Sequence, residues 1–508
     1  MEASEGEAIA SLQSLILDLP PSCIEVCPAH PTYFVVGTYY LERGADNQTE
    51  EVRPSGDDDE EKADADSSEA KAASPQSRNG SVIVFRLEDG KVHLLQTIAQ
   101  PSAVFDLHFQ PQQDTSDVFA TVSSTGSISF FRLSPPSHVV DSTEEGRKNV
   151  ATTISTLRIP DMDEDVLFTY FTWHPTIRGL MSITTASGNI LLVQVNDEYQ
   201  GVRVLNSCVL QHSLEAWVVA FSPPSAAAAS SSSSPMREQE PYTLFSGGDD
   251  SALKYLTLNL PSPHPQEENT DDDDDDDDAE QELTPPFPAV TLKDHTAGVT
   301  AILPLSLLIP STSTGPSPNS TPVALPHLLL TGSYDDTIRL FLIHPLHITY
   351  GMRKASLLAE KNLGGGVWRL SVVGTPSVTT TTKVTTAQAD AAAETIILNW
   401  QVIILASCMH AGTRILRIRG SFEYSEGEAT NETTSTAEIE VLARFEEHKS
   451  MNYGSDWSRV ESNLYLSGTA RRDNEKADDH SNRENEVVCV STSFYDRLLC
   501  VWKFKIPE

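Results

Sequence analysis

The chain has 508 residues, with 72 acidic against 35 basic side chains and a formal net charge of −37. Two stretches carry much of the excess, Glu42 to Arg78 with 12 acids and 5 bases and Pro261 to Ala289 with 12 acids and no Arg or Lys; the remainder still holds 48 acids against 30 bases. A folded part that acidic argues against a phosphate-binding surface, so no direct contact with nucleic acid is expected.

From the N-terminus, the segment before Leu15 lacks the basic residues of a secretory signal. Cys23 and Cys27 lie on one face of a short β-rich run with His30 just beyond, and without a fourth ligand or a tighter knuckle they read as buried core thiols, with no metal. The six cysteines are scattered, which predicts a reducing compartment and a cytoplasmic protein. The longest apolar stretch, Thr395 to Met409, contains Asn399 and Gln401 and falls short of the roughly 20 residues of a bilayer span, so no membrane span is expected.

Short β-rich runs bounded by Gly, Ser, Asp and Pro recur along the whole chain. One strand type is repeated seven times, at Gly80–Leu87, Gly126–Leu133, Gly188–Val195, Ser251–Leu258, Asp336–Ile343, Thr413–Ile418 and Arg497–Phe504. The spacing averages about 70 residues where a propeller blade needs roughly 40 to 45. Polar and low-complexity insertions account for the difference. They span 43–79, 225–240, 261–289 and 470–486, with Ser/Thr/Pro stretches at Ser311–Pro326 and Ser377–Thr386, and all read as disordered loops. The run Asp271–Asp278 reads as a solvated linker, because carboxylates in a flexible loop make a diffuse counterion atmosphere and no cage.

Before several repeats stands a turn such as LTGSYDDTIRLF, and upstream a histidine precedes an apolar strand, which marks a WD-type blade. Aligning the turns pairs His212 with Asp250, His295 with Asp335 and His448 with Asp496, each expected as a structural His–Asp contact. In the second and third repeats Thr125 and Ser187 stand near the turn position of the Asp. The last repeat lacks a fourth strand, and LILDLPPS near the N-terminus is suited to supply it. The prediction is an all-β protein, one seven-bladed WD-type β-propeller over residues 12–506 with long disordered insertions, and a monomer.

Other phrases are not general blade features: LGGGVWRL, ASCMHAGTRIL, SMNYGSDWS and STSFYDRLLCVW. Together with HSLEAWVVAFSP they resemble the WD-repeat diphthine methyl ester hydrolases of diphthamide biosynthesis, also named diphthine methyltransferases. The resemblance is strong over blades four to seven and looser at PAHPTYFVVGTYYLE. It implies hydrolysis of the methyl ester on the modified histidine of translation elongation factor 2, with that factor as partner and no cofactor. The alternative is a non-catalytic WD-repeat scaffold that recruits elongation factor 2 or another protein.

No G-x-S-x-G, H-E-x-x-H or P-loop occurs, so a nucleophile elbow has no support in the chain. Candidates come instead from the unusual phrases. His410 sits in the turn of the sixth blade as a potential base or as a structural stand-in for Asp, while Asp456 and Tyr495 are suited to orient a water or donate to an oxyanion. Gly364, Gly365 and Gly366 offer either an anion-binding nest or a simple turn. The implied substrate carries a quaternary ammonium group, for which Trp217, Trp368 and Tyr453 supply aromatic faces, with Glu215 as a nearby carboxylate. Trp457 reads as a core aromatic.

Overall fold

The computed structural model describes residues 5–41, 78–135, 149–160, 162–163, 166–223, 241–260, 283–307, 327–347, 349–385, 393–425, 434–459 and 485–507. Regular structure among them is entirely β, in seven sheets that form the blades of a propeller. Blade 1 is made of Pro21–Val26, Tyr33–Thr38, Arg78–Glu88 and Lys91–Gln100, and blade 2 of Val104–Phe109, Val118–Ser123, Ser127–Leu133 and Ala151–Arg158. Blade 3 contains Phe168–Trp173, Leu180–Thr185, Asn189–Val195 and Val202–Gln211; blade 4, Ala216–Phe221, Tyr242–Gly248, Leu253–Leu258 and Val290–Leu292. Blade 5 runs through Val299–Leu305, His327–Ser333, Thr337–Ile343 and Ala355–Asn362, and blade 6 through Arg369–Thr385, Ala393–Ser407, Thr413–Ser425 and Thr434–Phe445. Blade 7 comprises Gly454–Arg459, Glu486–Ser493 and Leu498–Lys505. No helix among the described residues is long and apolar enough to cross a membrane.

Each of the seven strand repeats read from the sequence is the third strand of its blade. The turn that precedes it needs a left-handed residue, supplied by Gly126, Gly188, Ser251, Asp336, Gly412 and Arg497 in blades 2 to 7. Side chains alternate along these strands between two apolar layers, one against each neighbouring blade. In blade 5, Leu329, Phe341 and Ile343 meet blade 4, whereas Leu328, Leu330, Leu340 and Leu342 meet blade 6. The described residues therefore form seven separate cores, one at every contact between adjacent blades. Cys23 and Cys27 belong to the layer between blades 1 and 2, and burial pushes the Cys27 thiol up to about 12.

The fourth strand of blade 7 is Gln13–Ile16, which pairs antiparallel with Leu498–Val501 and closes the ring. It begins two residues before the expected segment, because Pro21 already opens the inner strand of blade 1. Further upstream Glu7–Ile9 runs parallel to the outer strand of blade 6, so the N-terminal chain binds two blades. Ser11, between the two strands, donates from its backbone N–H to Glu447.

One of the expected loops is largely ordered, and so is the end of another. The Thr-rich Ser377–Thr386 lies mostly within the 17-residue inner strand of blade 6, paired with the 15-residue Ala393–Ser407, because β-branched threonine suits a pleated surface. At the end of the second acidic insertion, the Leu283 N–H donates to the Leu205 carbonyl at 2.8 Å and Asn206 returns a bond to the Leu283 carbonyl, fastening that end to blade 3. The rest of 261–289 up to residue 282, the insertions 43–79 and 470–486 apart from their strand-forming ends, 225–240 and Ser311–Pro326 lie outside the described residues.

The His–Asp contact is direct in blade 4, where His212 Nδ1 lies 2.8 Å from Asp250 Oδ1 and Nε2 lies 2.9 Å from the Ser246 hydroxyl. Blades 5 and 7 differ from the expectation. Among the described residues His295 and His448 hydrogen-bond to the strand hydroxyls of Thr331 and Ser491, at 2.9 and 2.8 Å, and not to the turn Asp. Asp335 is drawn instead to Arg339, 2.9 Å away, and to the Thr296 backbone N–H, while Asp496 accepts from Lys449 N, Ser450 and Ser493. In blades 2 and 3 hydroxyl pairs take over, Thr125 with Ser102 at 2.6 Å and Ser187 with Thr185 at 2.9 Å.

Burial lowers His295 and His448 to about 4, so both are neutral in the fold at neutral pH. A depressed folded value means stability that is present above the ordinary pKa of 6.5 and is lost as pH falls toward 4. The stability advantage of the wild type over a His295→Gln, His448→Gln double variant is expected to shrink from pH 7 to pH 4.5, read from urea midpoints at each pH; a constant difference would show that these imidazoles are not buried neutral.

Candidate active site

An inner strand has a sheet partner on one edge only, so polar groups at the channel must be satisfied by side chains from neighbouring blades. Ser22 Oγ donates to the Val104 carbonyl at 2.6 Å, Trp173 Nε1 to the His108 carbonyl at 3.1 Å, and Ser458 Oγ to the Pro31 carbonyl at 2.7 Å. Two carboxylates act in the same way as acceptors. Glu25 Oε1 receives the Phe109 N–H at 3.2 Å, and Asp456 Oδ2 receives the Val26 N–H at 2.7 Å.

These carboxylates belong to a chain of charges across blades 6, 2, 1 and 7. Arg369 Nη2 lies 3.1 Å from Asp106 Oδ2, the same oxygen is 3.3 Å from His108 Nε2, and His108 Nδ1 is 2.7 Å from Glu25 Oε2. Burial opposes ionisation of Asp106, but Arg369 and His108 outweigh it and hold the carboxyl below its ordinary range. Burial likewise disfavours the His108 imidazolium, and the surrounding Tyr170, Asp106 and Glu25 overcome it, raising the imidazole well above its ordinary value. Asp456 goes the other way. Burial pushes it up, the Val26 N–H pulls it down, and the Glu25 charge raises it again, leaving a carboxyl at about 7.

Above this chain, where inner strands begin and second strands end, aromatic rings form a continuous arc. Trp217 of blade 4 lies 5.7 Å from Trp368 of blade 6, which touches Tyr334 of blade 5 at 6.0 Å and Tyr453 of blade 7 at 5.0 Å. The arc continues through Phe494 to Tyr39 and Phe105 in blades 1 and 2. Trp217, Tyr334, Trp368 and Tyr453 are half-buried, and Trp217 donates its indole N–H to Asp249 at 3.3 Å. Burial raises the Tyr334 and Tyr453 hydroxyls, which are neutral at physiological pH. The mouth is thus an aromatic rim bordered by Asp249 and the half-buried Glu215, a composition suited to a soft cation.

The residues picked from the sequence do not form one cluster. Trp217, Trp368 and Tyr453 are joined in the rim, and Asp456 lies further along the inner strand of blade 7. Tyr495 is 70% exposed and touches the rim through Phe494. His410 is exposed in the turn of blade 6, and among the described residues no hydrogen bond or ring contact joins it to Asp456 or Tyr495. Trp457 packs between blades 6 and 7 and donates its indole N–H to the Val372 carbonyl at 2.9 Å.

The glycine run serves close approach between blades. The Gly364 N–H is already taken by Asn362 at 2.9 Å, and Gly365 and Gly366 are buried against Cys408, Met409 and Ala411. Glu25, Asp106, His108, Tyr170, Tyr334 and Arg369 escaped the sequence reading. A signal was present for some: SCIEV and VFDLHF place charged residues inside the apolar first strands of blades, where a core-facing position would reject them.

No family model matches the chain. It is similar over most of its length to proteins named diphthine methyltransferase. The Schizosaccharomyces pombe protein is 22% identical over 430 residues, covering 82% of this chain and 86% of that one. The Homo sapiens protein is 24% identical across 88% of this chain and 74% of its own, and the Dictyostelium discoideum homolog 24% across 96% and 97%. Among solved structures, Sqt1 of Saccharomyces cerevisiae aligns at 11% identity with a TM-score of 0.44, covering 99% of this chain and all of that one.

A Cβ at Gly365 would collide with the Cys408 carbonyl and stand 2.8 Å from the Ala411 side chain. Gly365→Ala is therefore expected to destabilise the fold by ~1–3 kcal/mol in denaturant unfolding. Unchanged stability with weakened anion binding would restore the nest as the role of this run.

Proposed function

We propose that this protein hydrolyses the methyl ester of diphthine methyl ester on translation elongation factor 2, releasing methanol and leaving a carboxylate. The name shared by its relatives supports a role in diphthamide biosynthesis. The observation that carries the hydrolytic reading is an aromatic rim above a carboxyl held at about 7.

The rim receives the trimethylammonium group of the substrate. Each ring face that meets such a cation contributes ~0.5–2 kcal/mol, and Asp249 and Glu215 add attraction at the border. Ester hydrolysis at neutral pH then requires a group that takes a proton from water and returns it. A carboxyl with a value near the working pH does both, whereas an ordinary aspartate is too weak a base. Asp456 removes a proton from a water that attacks the carbonyl carbon, and passes that proton to the departing methoxide. The Val26 N–H holds its Oδ2 at 2.7 Å and the Trp457 N–H its Oδ1 at 2.9 Å, which fixes the carboxyl while each oxygen keeps a second lone pair for water.

Asp456→Asn is expected to lower kcat by about 100-fold or more, measured as methanol released from methylated elongation factor 2. The wild-type rate should rise with pH through about 7, the value of Asp456. Trp368→Ala should chiefly raise KM, since it removes ground-state binding. Loss of turnover in His410→Ala, with Asp456→Asn active, would move the base to the turn of blade 6.

A further inference from the structure

Arg369 opens the inner strand of blade 6 and reaches across the channel to Asp106 on blade 2, with Nη2 at 3.1 Å from Oδ2. Its Nη1 donates to the Trp368 carbonyl at 3.0 Å. The guanidinium lies 4.8 Å from the centre of the Tyr170 ring and 5.1 Å from that of Trp368. These contacts fix its plane beside the rim yet engage only part of a fork that offers roughly five N–H donors. The two partners are covered unequally: the Asp106 side chain is 2% exposed, that of Arg369 19%. Here the carboxylate is sealed and the cation keeps an open side.

The pair also cannot swing apart freely. Asp106 has His108 as its other cationic neighbour, and withdrawing Arg369 would strip a buried carboxylate of its shorter ion pair. A guanidinium held in this way does not reorganise when charge develops next to it, which is the condition for electrostatic stabilisation of a transition state.

Resting on the hydrolytic reading above, we propose that Arg369 is a catalytic residue that receives the oxyanion formed from the ester carbonyl, and that Asp106 is its positioning residue. As the water oxygen bonds to the carbonyl carbon, the C=O π pair moves onto the carbonyl oxygen and that charge is met by the Arg369 N–H groups that carry no hydrogen bond among the described residues. The water proton goes to Asp456. When the pair returns, the C–OCH3 bond breaks, and methoxide takes the proton to leave as methanol. The acid that remains ionises to the carboxylate.

The test uses the full-length chain with methylated elongation factor 2, and measures kcat and KM for the wild type, Arg369→Gln, Arg369→Lys and Asp106→Asn, with thermal unfolding of each. The expected result is a fall in kcat of ~10²–10³-fold for Arg369→Gln with little change in KM, and a smaller fall in kcat, again without a change in KM, for Asp106→Asn. Should Arg369→Gln fail to fold, Arg369→Lys, which keeps the charge opposite Asp106 but loses the fork, gives the same reading through its kcat. Wild-type turnover with full kcat in a folded Arg369 variant, or a rise in KM alone, overturns this inference and leaves the hydrolytic reading intact. A wild type without turnover overturns both.

Discussion

The inner strands of the propeller have an edge that no sheet can pair, and most of what is distinctive in this molecule follows from that constraint. Buried backbone donors and acceptors must find partners, so the channel is lined with polar side chains that reach from one blade to the next. Where the partner is a hydroxyl the result is only a stitch. Where it is a carboxylate, as at Glu25 and Asp456, a charge is brought into an apolar ring and further charges must answer it. The chain from Arg369 through Asp106 and His108 to Glu25 is that answer.

One of these stitches crosses the seam of the ring. Asp456 belongs to the last blade and Val26 to the first, so the hydrogen bond between them forms only when the chain ends have met. The closing strand Gln13–Ile16 completes blade 7 from outside, and the parallel strand Glu7–Ile9 ties the same N-terminal segment to blade 6. Closure thus does more than remove a sheet edge. It sets the environment in which the Asp456 carboxyl is raised to about 7, chiefly by burial and further by Glu25 from the blade across the seam.

The seven cores explain why a chain interrupted so often can fold into one ring. Each apolar layer is assembled from two adjacent blades. The aromatic arc has the same origin. Positions at the start of an inner strand and just after a second strand lie on one face in every blade, so Trp217, Tyr334, Trp368, Tyr453 and Phe494 meet although they come from four blades.

The number of blades, the third strand of each and the closure by the N-terminal segment could be read directly from the sequence, because turn residues and alternating apolar runs are local signals. Three members of the rim, Trp217, Trp368 and Tyr453, were visible for the same reason: they stand in phrases that blade architecture does not explain. What local signals could not convey is which side chains meet across the channel. Arg369 and Asp106 are 263 positions apart, and nothing in either neighbourhood names the other. The sequence likewise paired His295 with Asp335 and His448 with Asp496, whereas Arg339 and nearby serines take those carboxylates in the fold. Composition and periodicity determined the ring; the protonation of Asp456 and the open fork of Arg369 were decided only by tertiary structure, since burial and charge across the channel exist only once the blades have closed.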